Sequence, residues 1–115
     1  MKDYAKRCVA YVVGSSFLNK AITVYDNQNK RSYPFNGSSL IHDMSEKAYI
    51  SSIKVENDYK LYQYKSGKYI NLTINENAFS GEDQETGLLF SGKFSENVVE
   101  INDKEFDQWF TYNLD

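Results

Sequence analysis

Hydrophobic and polar residues alternate with a period of two along most of the chain beyond residue 57. The clearest case is residues 69–74, where Ile70, Leu72 and Ile74 would share one face of a strand. Such alternation is typical of an antiparallel strand with one buried and one solvated face. The same pattern recurs at residues 90–94, 99–101 and 110–114. Each of these segments is therefore predicted to contribute a few apolar side chains to a common interior.

Clusters of Asn, Asp, Ser and Gly separate these segments and recur about every ten residues. When segments of the chain are aligned on their turn residues, four hairpins are predicted, over residues 24–35, 61–72, 79–92 and 99–112. The tripeptide Phe-Ser-Gly occurs at both 79–81 and 90–92. The pattern predicts a single all-β domain over residues 1–115, an antiparallel meander of hairpins that forms a small, shallow barrel with quasi-fourfold symmetry.

Helical signals are few, and we expect at most one short helix. The best candidate is the segment 43–49, where Asp43 or Ser45 could cap one or two turns. Residues 4–13 fit a helix or a strand, because Val9, Val12 and Val13 suit a strand at least as well. The conformation of this N-terminal segment is left open by the sequence.

The C-terminal third resembles a known structural type. The segments 79–87, 90–94 and 110–114 place Gly and small polar residues at the bends and aromatic residues inward. In this they resemble small bacterial proteins of the β-flower type, which are shallow, open β-barrels of radiating hairpins. The resemblance covers residues 76–115 and extends to the rest of the chain only through the hairpin pattern. It implies a fold and no catalytic residues, because these proteins are largely without an assigned function.

Composition excludes several classes of site. The chain has 115 residues with one Cys and one His, so an internal disulfide and multi-cysteine or multi-histidine metal sites are excluded. The sequence contains no run of 18 consecutive apolar residues, the length that a membrane-spanning helix requires. The apolar stretch after Lys6 and Arg7 is shorter than the roughly 7–15 residues of a signal peptide, so a cytoplasmic protein is expected. No cofactor is expected.

Candidate catalytic residues are isolated, and we expect no enzyme. His42 lies beside Asp43, but adjacent strand residues face opposite ways and no nucleophile accompanies them. Cys8 follows two basic residues, although a lone cysteine is more often a small core residue. The acidic turns carry the oxygen ligands that Ca²⁺ uses, but without the spacing of a calcium-binding loop, so no metal site is predicted.

Charge is distributed unevenly along the chain. Residues 1–65 carry ten basic and six acidic side chains, whereas residues 66–115 carry three basic and ten acidic ones. An acidic half disfavours nucleic acid and suits a basic partner protein. The sequence predicts a non-enzymatic interaction protein that acts stoichiometrically on such a partner, as an inhibitor, immunity protein or anti-defence protein of a bacterium or phage. The predicted partner-binding residues are Glu82, Asp83, Glu85, Asp103, Glu105 and Asp107.

Aromatic content supports a second hypothesis. This competing hypothesis is a small-ligand or lipid-binding β-barrel with aromatic residues at its mouth. The residues predicted to line its mouth are Tyr62, Tyr64, Phe90, Trp109 and Phe110. Association of copies through exposed edge strands is a third hypothesis.

Overall fold

The computed structural model describes residues 1–20 and 22–115 as one helix and ten strands. The helix α1 spans Asp3–Leu18. The strands β1–β10 follow in chain order: Thr23–Asp26, Arg31–Asn36, Leu40–Asp43, Ala48–Val55, Asp58–Gln63, Lys68–Asn75, Ala78–Asp83, Leu88–Ser95, Val98–Asp103 and Gln108–Leu114. Each strand pairs antiparallel with its chain neighbour, and β1 pairs with β10 to close the barrel.

The barrel contains five hairpins, which confirms the predicted all-β meander and corrects its fourfold symmetry. The missed hairpin is β3–β4, and it lies where a helix was predicted at 43–49. Asp43 Oδ1 accepts hydrogen bonds from the backbone N–H groups of Ser45 and Glu46 at 3.1 and 3.2 Å. These are the bonds that a helix N-cap also makes, so the local sequence does not distinguish a cap from this turn.

Exact repetition of the hairpins is visible in their turns. Four-residue turns at 27–30, 44–47, 64–67, 84–87 and 104–107 occupy one rim of the barrel. The last residue of each turn has a positive φ: Lys30, Lys47, Gly67, Gly87 and Asp107. At the other rim, Glu-Asn pairs at 56–57, 76–77 and 96–97 form two-residue turns spaced 20 residues apart. The last three hairpins therefore repeat in strict register.

The barrel interior is occupied by α1, so the barrel is not open as the resemblance implied. Ten consecutive residues of the helix, from Ala5 to Gly14, are buried. A helix that is buried on all sides needs no amphipathic pattern, which is why the sequence left residues 4–13 ambiguous. Tyr11 stacks on Phe35 with ring centroids 4.9 Å apart and donates a hydrogen bond to the carbonyl of Gly37 at 2.6 Å.

Inward-facing strand residues complete this core. The predicted alternation is confirmed, since Ile70, Leu72 and Ile74 face the helix while Tyr69, Asn71 and Thr73 face outward. The two Phe-Ser-Gly tripeptides lie opposite each other on β7 and β8, where Phe79 pairs with Gly92 and Gly81 pairs with Phe90. Each glycine thus leaves room for the aromatic ring across from it.

Closure of the barrel affects how copies of the chain could associate through their strands. In the described part of the chain every strand has two neighbours, so no free edge strand is left for pairing between copies. Within the same residues, no helix is both long and apolar enough to cross a membrane.

Candidate functional site

A ring of polar side chains surrounds the N-terminal part of α1. The last residues of β1, β3, β5, β7 and β9 point inward at the same rim and are buried: Asp26, Asp43, Gln63, Asp83 and Asp103. The four aspartates accept backbone N–H groups of the turns that follow them, for example Glu85 N–H at Asp83 Oδ1 and Glu105 N–H at Asp103 Oδ1, both at 3.0 Å. The first role of this acidic ring is therefore to fix the turns.

Two buried cations of α1 face one side of the acidic ring. The Lys6 Nζ atom lies 4.0 Å from Asp103 Oδ2 and 3.4 Å from the ring centroid of Phe110. The amino group of Met1 donates to Asp103 Oδ2 at 2.9 Å. Arg7 lies 4.0 Å from Asp26 Oδ2, and its guanidinium stacks 3.7 Å from the ring centroid of Tyr33. These contacts fix the position of the helix in the barrel.

The other side of the acidic ring has fewer partners. Asp83 Oδ2 and both amide atoms of Gln63 are buried without a hydrogen-bond partner among the described residues. Burial raises the pKa of Asp83 above its ordinary value, and the carboxylates of Glu85 and Asp103 raise it further. Burial likewise raises the pKa of Asp43. The charged form of Asp83 is therefore poorly stabilised in the folded state.

Replacing Asp83 with Asn tests this cost. Because the folded-state pKa of Asp83 is raised, its contribution to stability falls as pH rises from the ordinary value through the raised one. We expect Asp83→Asn, which keeps the acceptor for Glu85 N–H, to stabilise the protein by about 1 kcal/mol at neutral pH. The gain in Tm should disappear in acid, where both proteins carry a neutral group. Thermal unfolding of the parent and of Asp83→Asn from neutral to acidic pH measures the gain in Tm. A gain that does not change with pH would contradict the prediction.

The single cysteine and histidine lie apart from any cluster of reactive groups. Cys8 is 1% exposed inside the barrel, and burial raises the pKa of its thiol to about 12. His42 lies on the outer wall and stacks on Tyr49 with ring centroids 4.6 Å apart. Within residues 1–20 and 22–115, no three His, Cys, Asp or Glu side chains are arranged to hold a metal ion.

The predicted partner-binding residues divide into two groups. Asp83 and Asp103 are 0% exposed and belong to the acidic ring, so they cannot contact a partner. This corrects the sequence prediction, which treated both as loop residues. The other four lie at or near two neighbouring turns of one rim: Glu82, Glu85, Glu105 and Asp107.

Two of these surface carboxylates also contact α1 or the residue Met1 that precedes it. Tyr4 donates its hydroxyl to Glu85 Oε1 at 2.9 Å, and the Met1 amino group donates to Glu105 Oε1. Burial, followed by the bond to Glu85, raises the pKa of Tyr4 to about 12. Glu82 and Asp107 have no such internal bond among the described residues.

Large apolar side chains are exposed beside these carboxylates. Leu88 and Leu89 follow the turn of β7–β8, and Phe106 and Trp109 belong to the turn and first strand residues of the next hairpin. Their exposed fractions are 40%, 61%, 57% and 54%. We call these four residues, with Glu82, Glu85, Glu105 and Asp107, the acidic–apolar edge. Sequence reasoning missed Leu88, Leu89 and Phe106, although two successive leucines at the start of a strand oblige at least one to face outward.

The residues of the predicted ligand-binding mouth do not converge. Phe90 is buried inside the barrel, and Phe110 lies beneath Lys6. Tyr62 and Tyr64 pack edge to face on the outer wall, with ring centroids 5.0 Å apart. Trp109 is exposed on β10, five strands away from β5 in the closed barrel. With α1 filling the interior, these five residues line no common cavity.

Comparison with known proteins gives no relative. The scan against family models found no match, and the searches of curated proteins and of solved structures found none either. The β-flower resemblance therefore stays a prediction.

Proposed function

We propose that this protein is a non-enzymatic interaction protein that binds a basic partner protein through the acidic–apolar edge. The observation that carries the proposal is the exposure of four large apolar side chains among four carboxylates on two adjacent hairpins. Exposed tryptophan and phenylalanine are typical anchors of protein interfaces, and surrounding carboxylates favour encounter with a positively charged surface.

Charge and packing support this assignment. Lys104 is the one basic residue in the two turns of the edge, so the edge carries a net negative charge. Glu82, Leu89 and Lys104 line a common depression on the outer wall, which shows that the two hairpins form one continuous surface. Asp83 and Asp103 accept backbone N–H groups of Glu85 and Glu105 and so hold the two turns of the edge, which lowers the entropic cost of binding. A stoichiometric inhibitor or immunity protein in a bacterial cytoplasm is the role that we propose for such a surface.

Affinity capture with matched variants tests the proposed function. The immobilised protein is exposed to bacterial lysate at low and high salt, alongside the variants Trp109→Ala and Tyr64→Ala. Both residues are aromatic and similarly exposed, at 54% and 58%, but only Trp109 lies in the edge. We expect a basic protein to be recovered in about equimolar amount by the parent and by Tyr64→Ala. Trp109→Ala should lose about 2 kcal/mol or more, roughly thirtyfold in affinity.

Two outcomes would count against the proposal. One is recovery of no equimolar partner at either salt concentration. The other is recovery that is equal for Trp109→Ala and Tyr64→Ala, which would move the binding surface away from the edge. Light scattering of the free protein distinguishes capture of a second copy of the chain from capture of a different protein.

A further inference from the structure

The barrel departs from its own repeat at the rim opposite the acidic ring. The inward positions of β4 after Ile50 are Ser52 and Lys54. Twenty residues later, the equivalent positions of β6 are Leu72 and Ile74, and those of β10 are Tyr112 and Leu114. A partly exposed serine and an exposed lysine thus occupy positions that are buried in β6 and β10, whereas the equivalent residues of β8, Gly92 and Phe94, are partly exposed.

At these positions an open cavity of about 420 Å³ lies between the end of α1, residues 38–39 and the strands β3–β5. The volume falls within the range of small-molecule sites, roughly 300–1,000 Å³. The cavity is lined mostly by hydroxyl-bearing and amide side chains: Ser15, Ser16, Asn19, Ser38, Ser39, Ser52 and Tyr59. Among the described residues, Lys54 is the only charged side chain in this lining.

The lining offers two kinds of hydrogen-bonding groups. Ser15 and Ser16 donate their hydroxyl protons to the carbonyls of Val12 and Val13, at 3.2 and 2.6 Å. Their oxygens are then left to accept hydrogen bonds from a ligand. On the strand side, Lys54 Nζ lies 5.5 Å from the ring centroid of Tyr59 and forms no ion pair within 4.0 Å among the described residues. An adjoining depression continues past Lys54 toward Glu56 and Glu76.

We infer that this cavity binds a small polyhydroxylated anion, of the class of sugar phosphates and sugar acids. The anionic group would pair with Lys54 Nζ, and the ligand hydroxyls would donate to the serine oxygens of α1. The site is separate from the acidic–apolar edge, because its residues belong to the helix end, to residues 38–39 and to β3–β5.

Binding is tested by calorimetric titration with glucose 6-phosphate, gluconate, glucose and inorganic phosphate. We expect saturable binding of glucose 6-phosphate or gluconate, with glucose and inorganic phosphate each about tenfold weaker or more. The variants Lys54→Ile and Ser52→Leu copy the residues at the equivalent positions of β6. Each should weaken binding by about tenfold or more, because an apolar side chain fills the cavity and removes a polar group. The fold should stay intact, because β6 carries leucine and isoleucine at the equivalent positions.

The matched control is Lys60→Ile on the outward face of β5, which should bind as the parent does. Thermal unfolding of each variant separates loss of the site from loss of the fold. The inference is overturned if neither anionic sugar binds, if inorganic phosphate or glucose alone binds as tightly, or if Lys54→Ile and Lys60→Ile have the same effect.

Discussion

Replacing Asp103 with Asn should lower the free energy of unfolding by about 3–5 kcal/mol at neutral pH. Asp103 is fully buried, and its Oδ2 atom faces both the Met1 amino group and Lys6 Nζ. Asparagine keeps an oxygen for Glu105 N–H, so the turn is preserved while the charge is removed. Within the described part of the chain, Lys6 then keeps only the exposed carboxylate of Asp3, 3.5 Å away, and the Met1 amino group keeps only that of the partly exposed Glu105. Removal of one partner from a buried ion pair is more costly than removal of the whole pair.

Urea unfolding of four proteins measures this effect: the parent, Asp103→Asn, Lys6→Met and the double variant. We expect the double variant to lose less stability than the two single losses added together, by about 1 kcal/mol or more. Asp83→Asn is the matched control, because the same substitution at the equivalent position of the preceding hairpin is expected to stabilise. Equal changes at Asp83 and Asp103 would refute the view that the helix cations distinguish the two sides of the acidic ring.

Replacing Gly92 with Ala should destabilise the protein by about 3 kcal/mol or more. A Cβ atom at Gly92 would overlap the backbone carbonyl oxygen of Glu100 on β9 and the ring of Phe79 on β7. The backbone oxygen belongs to a paired strand, so it cannot move away as a flexible side chain would. The added methyl group must therefore displace either the β8–β9 pairing or the aromatic ring in the core.

Gly87 provides the control for this effect. Its φ is +73°, and a Cβ atom there would meet nothing within 4 Å. The equivalent positions of the first two hairpins hold Lys30 and Lys47, so Gly87→Lys should cost only about 1 kcal/mol. Chemical denaturation of both variants gives the comparison. If Gly92→Ala were as mild as Gly87→Lys, the close approach of β9 and Phe79 would not constrain the fold.

The limits of sequence reasoning differ between elements for identifiable reasons. The alternation in 69–74 was interpreted correctly, because a strand that covers a core on one face shows that face in its own sequence. The segment 43–49 was interpreted wrongly, because the bonds of Asp43 to the next turn are common to helix caps and hairpins. The N-terminal segment stayed ambiguous, because a helix surrounded by barrel has no polar face to reveal its period.

The candidate site shows the same division. The surface carboxylates could be selected by composition and by their place near turns, whereas Trp109 was assigned to a ligand-binding mouth and its place in the edge was not predicted. Asp83 and Asp103 could not be separated from them, since each follows a strand and precedes a turn like an ordinary loop acid. Their burial depends on the helix that enters the barrel, about 100 residues away in the chain for Asp103.

The sequence by itself determined four of the five hairpins, with their strands and turns, because these depend on contacts between residues close together in the chain. It did not reveal the β3–β4 hairpin. Only the tertiary structure decided that five hairpins close into a ring around α1, since closure depends on what fills the interior. It also decided which carboxylates are paired with buried cations, which keep a buried oxygen without a hydrogen-bond partner and which face solvent. Those differences arise from distances between remote segments, and a one-dimensional pattern of residue types does not contain them.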